Sequence, residues 1–136
     1  MEIQPYLFFD GRCEEALTFY RKTLGAEVKM LMRWKDHPEP DPNMSPPNGA
    51  DKVMHAQFRI GDTTVLASDG RCQGQPKFQG FSLSLTVPND GEAKRLFGAL
   101  AEGGQVQMAL AKTFFSSSFG MVADRFGVSW MVYVAP

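Results

Sequence analysis

The feature that most restricts the fold is a pattern that occurs twice. A strand-like stretch leads into a short amphipathic helix, and three further strand-like stretches follow it. In the first half the strand covers residues 3–9, and the helix stripe is Cys13, Ala16, Leu17, Tyr20 and Leu24. The later strands cover 27–34, 53–60 and 63–68. In the second half the strand covers 81–87, and the stripe is Ala93, Leu96, Phe97, Leu100 and Ala101. Its later strands cover 105–111, 117–123 and 128–134. Apolar residues three and four apart give each helix one core-facing side, while strict alternation gives the strands two unlike faces. Asp10 and Gly11 mark a start for the first helix and Gly25 its stop. Asn89 or Asp90 can cap the second, and Gly103-Gly104 end it. The repeated order reads as an internal duplication.

With 136 residues, the chain fits one domain. The expectation is a single α+β domain over residues 1–136, with a first module of about 1–69, a second of about 80–136 and a crossover over 70–79. Neither module alone would enclose a sufficient core. Eleven Phe in a chain this short point to bulky core packing, an apolar pocket, or both.

The net charge of -1, with scattered Lys and Arg, makes nucleic acid an unexpected partner. No apolar run approaches the ~20 residues that a membrane-spanning helix needs, so no membrane partner is expected either. The start of the chain has no basic, apolar export pattern, and its two cysteines, Cys13 and Cys72, form no framework or zinc spacing. A cytoplasmic protein with two reduced thiols is expected. Residues 37–49 hold five prolines and read as a long loop, a candidate lid.

Alternation fixes which side chains share a face. Met54, Ala56, Phe58 and Ile60 point one way, and His55, Gln57 and Arg59 the other. Leu83, Leu85 and Val87 oppose Ser82, Ser84 and Thr86 in the same manner. Val128, Trp130 and Val132 go to the core, and Ser129, Met131 and Tyr133 face away from it. A curved sheet with helices outside and a polar inner face is a container for a small ligand. The expected contacts are His55, Gln57, Ser82, Phe119, Ser129 and Met131.

His55 reads either as a hydrogen-bonded structural histidine or as a group for acid-base work. Asp69, before Gly70, reads as a turn residue or as a carboxylate able to orient His55 or take a proton. These two are the candidate catalytic residues. His37, in the proline-rich loop, is expected to be solvated. Residues 114–120, with three Phe and three Ser, read as a hairpin turn or as the rim of the cleft.

Three groups of residues carry a resemblance: Pro5-Tyr6-Leu7-Phe8-Phe9-Asp10-Gly11 with Phe19-Tyr20 and Leu24-Gly25; Lys52-Val53-Met54-His55-Ala56 with Leu66-Ala67-Ser68-Asp69; and Asp124-Arg125-Phe126-Gly127-Val128-Ser129-Trp130. Together they resemble the vicinal-oxygen-chelate superfamily of glyoxalase, bleomycin resistance and extradiol dioxygenase proteins. Within it they look like the PhnB-like branch, often labelled 3-demethylubiquinone-9 3-methyltransferase. The resemblance implies paired βαβββ modules in a curved mixed sheet, a homodimer that is either plain or module-swapped, and a small-molecule ligand.

Metal-dependent members of that superfamily place His, Gln or Glu on four cleft positions. The resemblance puts these on Pro5, about Ala67, Ser82 and Met131, none of which suits zinc, iron or manganese. No metal and no organic cofactor is therefore expected. A methyltransferase would need a methyl-donor site such as a glycine-rich strand-to-helix turn in a parallel sheet, and none is present. A metal-free binder or acid-base enzyme is the leading expectation. Sequestration of the bleomycin-resistance type and a metal-dependent lyase or dioxygenase are the alternatives.

Overall fold

The structure is a computed structural model, and it describes residues 1–36, 49–70 and 76–136. The chain divides into two compact units, Met1–Pro76 and Lys77–Pro136. His37, Cys72, most of the proline-rich segment and half of the crossover lie outside the described residues.

In the first unit the elements are β1 (Tyr6–Phe8), α1 (Cys13–Leu24), β2 (Glu27–Arg33), β3 (Val53–Ile60) and β4 (Thr63–Ser68). The strands form one sheet in the order β1-β4-β3-β2, with β1 parallel to β4 and the other pairs antiparallel. Parallel pairing of β1 with β4 requires a crossover, which the helix and two strands supply. The second unit repeats this with β5 (Leu83–Val87), α2 (Asp90–Ala101), β6 (Gln105–Ala111), β7 (Phe119–Ala123) and β8 (Ser129–Val134). Its sheet order is β5-β8-β7-β6, again with one parallel pair, β5 with β8. Two four-stranded mixed sheets, each with one helix, make up the expected α+β pair of βαβββ modules.

Each helix covers one face of its own sheet. In the first unit Cys13, Ala16, Leu17, Phe19 and Tyr20 are buried on α1, and Leu7, Ala56, Phe58, Val65 and Ala67 are buried on the strands. Tyr20 stacks on Phe58, with ring centroids 5.9 Å apart. In the second unit Ala93, Phe97 and Leu100 of α2 are buried, as are Val122, Trp130 and Val132. Gly120 lets α2 approach, since a Cβ there would meet Phe97 at 2.7 Å.

The helix ends follow local chemistry. Asn89 caps α2 by accepting the Glu92 N–H at 2.9 Å. Gly25 ends α1 in the left-handed conformation (φ 67°), as its lack of a Cβ allows. The start of α1 differs from expectation: Asp10 and Gly11 lie ahead of it, and Arg12 occupies the cap position, its side chain reaching Glu15 at 2.8 Å and not capping the helix amides. Asp69 replaces that cap from another part of the chain, accepting the Gly11 and Cys13 N–H groups.

Several strands are shorter than their apolar patterns. The first begins at Tyr6, the fifth at Leu83 and the seventh at Phe119, and Trp34 leaves β2 for a short 3-10 turn. Ala67 is a clearer correction. It pairs with Leu7 and Ala56 and is fully buried on the helix side. Leu66 and Ser68 take the opposite face of β4, because neighbouring residues on a strand alternate.

Candidate functional site

The face of each sheet away from its helix is where chemistry can happen, and the second unit hollows that face into a groove. Pairing of Ser84 with Met131, and of Met121 with both Met131 and Met108, sets the groove floor on one side of the sheet. The groove encloses about 680 Å³. Phe78, Phe81, Met108, Met121 and Met131 form its apolar lining, and Gln79, Ser82, Gln107 and Ser129 its polar part. Its size falls within the range of small-ligand sites. Among the described residues that line it, none carries a charge.

Three of the polar groups form one chain. Ser82 Oγ lies 2.7 Å from Ser129 Oγ, and Ser129 donates to Gln107 Oε1 at 3.2 Å. Ser129 is buried even though it belongs to the open face. Thioethers and rings supply adaptable, polarisable contact around this chain.

The sequence-predicted contacts fall into three sets. Ser82, Ser129 and Met131 line the groove together. Phe119 pairs with Tyr133 on the same face, within an aromatic cluster: Phe115 lies 5.2 Å from Phe119 and 6.3 Å from Tyr133. The hydroxyls of residues 116–118 are used locally. Ser116 bonds the Val134 carbonyl, while Ser117 and Ser118 both donate to Asp90. Those two bonds hold the Asp90 carboxyl below the usual range.

His55 and Gln57 lie on the open face of the first sheet. Tyr6 OH stands 2.9 Å from His55 Nδ1, reaching across β4, and Phe8 packs beside Tyr6 with centroids 4.9 Å apart. Gln57 lies between Leu66 and Met30 in one row of that face. Asp69 has a different setting: it is buried, and besides the two amides at the start of α1 it accepts the Val53 N–H at 2.7 Å. Burial, with Asp69 nearby, pushes the Cys13 thiol far up.

Tyr6, Gln107, Met108, Met121, Phe78 and Phe81 are site or near-site residues that the sequence-predicted contacts leave out. For Gln107 and Met108 the reason is a register shift between Val106 and Met108, which breaks the simple alternation of β6. Phe78 lies outside any strand pattern, and alternation sets Phe81 with Leu83 and opposite Ser82, although β5 begins only at Leu83. The tyrosine in the motif Pro5-Tyr6-Leu7-Phe8 was the one available signal for Tyr6.

A second depression of about 610 Å³ lies at the start of α1. Most of its charges are paired: Arg33 binds Glu14 at 2.6 Å and Lys35 binds Asp51 at 2.9 Å, while Lys52 donates to the Gly11 carbonyl at 2.9 Å. It is an ion-pair surface, and its helix amides are already bonded to Asp69.

A family profile described as 3-demethylubiquinone-9 3-methyltransferase matches residues 1–133. The chain belongs to this family. It is similar to Protein YjdN of Escherichia coli (strain K12), at 36% identity over 140 residues, covering 98% of this chain and 95% of that protein. The crystal structure of protein PA1353 from Pseudomonas aeruginosa is 43% identical, with a TM-score of 0.86 over 99% of this chain and 98% of that one. The PhnB protein from Bacillus cereus is 28% identical, with a TM-score of 0.82 over 99% of this chain and 100% of that one. The same fold recurs in glyoxalase, bleomycin resistance and dioxygenase proteins. The chain is thus PhnB-like, and it shares its fold with those proteins.

Whether an ion could be held depends on the donors present. Among the described residues, no three His, Cys, Asp or Glu side chains gather to hold an ion. The groove offers hydroxyl, amide and thioether groups, a set that does not fit zinc, iron or manganese. No helix among the described residues is long and apolar enough to cross a membrane.

Proposed function

We propose that this PhnB-like chain binds a small organic molecule, without a metal, in the groove on the open face of its second sheet. The observation that carries the reading is the Ser82–Ser129–Gln107 chain set among Met and Phe side chains. An apolar container with a few placed polar groups is the usual make-up of a small-molecule site. The test is a ligand-observed NMR screen of small organic fragments against the wild type and Met108→Trp, with all solutions containing EDTA. Met108 is half exposed, so the substitution fills the groove with little cost to the fold. Hits that vanish in the variant support the proposal. Hits that bind the variant equally contradict it.

Methyl transfer, the activity in the family's description, finds little support in these residues. A methyl donor held at a strand-to-helix turn needs open backbone amides, whereas two amides at the start of α1 are bonded to Asp69. We derive no step through such a donor.

Sequestration without turnover is the second reading. It is favoured by the uncharged lining, which holds no group that takes up or releases a proton near neutrality. The Tyr6–His55 pair is the feature that favours catalysis instead, as a hydrogen-bonded acid-base couple. Product analysis after incubation with a groove ligand separates the two, and turnover lost in His55→Ala would assign the chemistry to that pair. A homodimer in the cytoplasm remains part of the proposal, with sedimentation as its check.

A further inference from the structure

We infer that the groove selects an uncharged ring compound carrying both a hydroxyl and a separate carbonyl or ether oxygen. This rests on the groove being the ligand site and adds the chemical class of the ligand. The direction of the hydrogen bonds supplies half of the case. Ser129 has one proton and gives it to Gln107 Oε1, so the proton between Ser82 and Ser129 comes from Ser82. Ser82 then offers only an oxygen lone pair to a ligand, which matches a hydroxyl. At the other end the Gln107 amide carries two N–H donors, which match a carbonyl or ether oxygen.

Charge supplies the other half. No Lys, Arg or His is among the described residues lining the groove, and no Asp or Glu. A carboxylate, phosphate or phosphonate entering it would lose water without gaining a cation. A neutral ring meets Phe78, Phe81 and the three Met side chains, which suit its flat polarisable faces.

Three naphthalene probes differ by one feature each: an acetylnaphthol with its groups on opposite rings, the matching hydroxynaphthoic acid, and acetylnaphthalene. Calorimetry at neutral pH should find the acetylnaphthol tightest, with each of the other two weaker by about ten-fold or more. Gln107→Glu keeps the acceptor for Ser129 but removes the amide donors, and should weaken the acetylnaphthol by a similar factor. Met108→Lys adds a cation at a half-exposed position and should raise affinity for the naphthoate. If the naphthoate binds wild type as tightly as the acetylnaphthol, the neutral-ligand inference is overturned while the groove stands. If the acetylnaphthol binds without any effect of either substitution, the groove itself is the wrong site.

Discussion

The Tyr6 hydroxyl and His55 Nδ1 meet at 2.9 Å although their strands are not neighbours, because β4 lies between β1 and β3 and both side chains rise from the same face. The contact sits in a partly exposed setting, so it contributes modestly to stability. Tyr6→Phe should lower unfolding stability by about 0.5–1.5 kcal/mol in urea denaturation, the net worth of one hydrogen bond. It should also shift the His55 ring tautomer balance, seen in nitrogen NMR. An unchanged tautomer would show that the pair does not persist in solution.

Asp69 was a candidate proton acceptor on sequence grounds, and its geometry gives it structural work. One carboxylate receives backbone N–H groups from Gly11, Cys13 and Val53, tying the start of α1 to β3. Asp69→Asn should cost about 2–4 kcal/mol, since charge-assisted bonds to buried amides are lost. Thermal and urea unfolding measure this. A variant of wild-type stability with impaired turnover would instead give Asp69 a catalytic role.

Asp124 holds the second unit in a related way. Its carboxylate accepts Trp130 Nε1 at 2.8 Å and the Phe126 and Val128 N–H groups, closing the β7–β8 turn over the core. Asp124→Ala should cost about 3 kcal/mol or more by leaving buried donors unpaired. Native Trp130 fluorescence should shift as its environment loosens. A stable variant with unchanged fluorescence would contradict this role.

The Cys13 thiol is raised far above its ordinary value by burial, with Asp69 and Glu14 adding to it. At pH 8 almost none is thiolate, so alkylation should be negligible in the folded state. In a Cys72→Ser background, iodoacetamide should label Cys13 only in denaturant. Labelling of the native protein at the rate of an exposed thiol would show that the site opens.

Asp90 gives a pH prediction. Its carboxyl is held below the usual range by the Ser117 and Ser118 hydroxyls, so its contribution to stability is present above the unfolded value of about pH 4 and is lost as pH falls through the folded value. Amide exchange in residues 116–119 should therefore be steady from pH 5 upward, after correction for intrinsic rates, and rise below about pH 4. Asp90→Asn should remove that acid-side change.

The duplicated strand and helix order was legible because hydrophobic period depends only on residue type, and packing on each helix obeys it. Ser82, Ser129 and Met131 could be grouped from alternation, since no bulge intervenes along β8. Gln107 and Met108 could not, because a register shift in β6 depends on pairing and not on local pattern. Ala67 failed for a related reason: one residue of misalignment along β4 reverses the face. Asp69 looked like a turn carboxylate because its partners, Gly11 and Cys13, are remote in sequence.

The most direct test uses the methionine methyl groups as position markers. Protein labelled at the Met methyls is titrated with the acetylnaphthol and followed by carbon–proton NMR. A ligand seated in the groove shifts Met108, Met121 and Met131 while Met30, Met32 and Met54 keep their positions. Shifts confined to Met30, Met32 and Met54, with the groove methyls unmoved, would contradict a binding site on the second sheet.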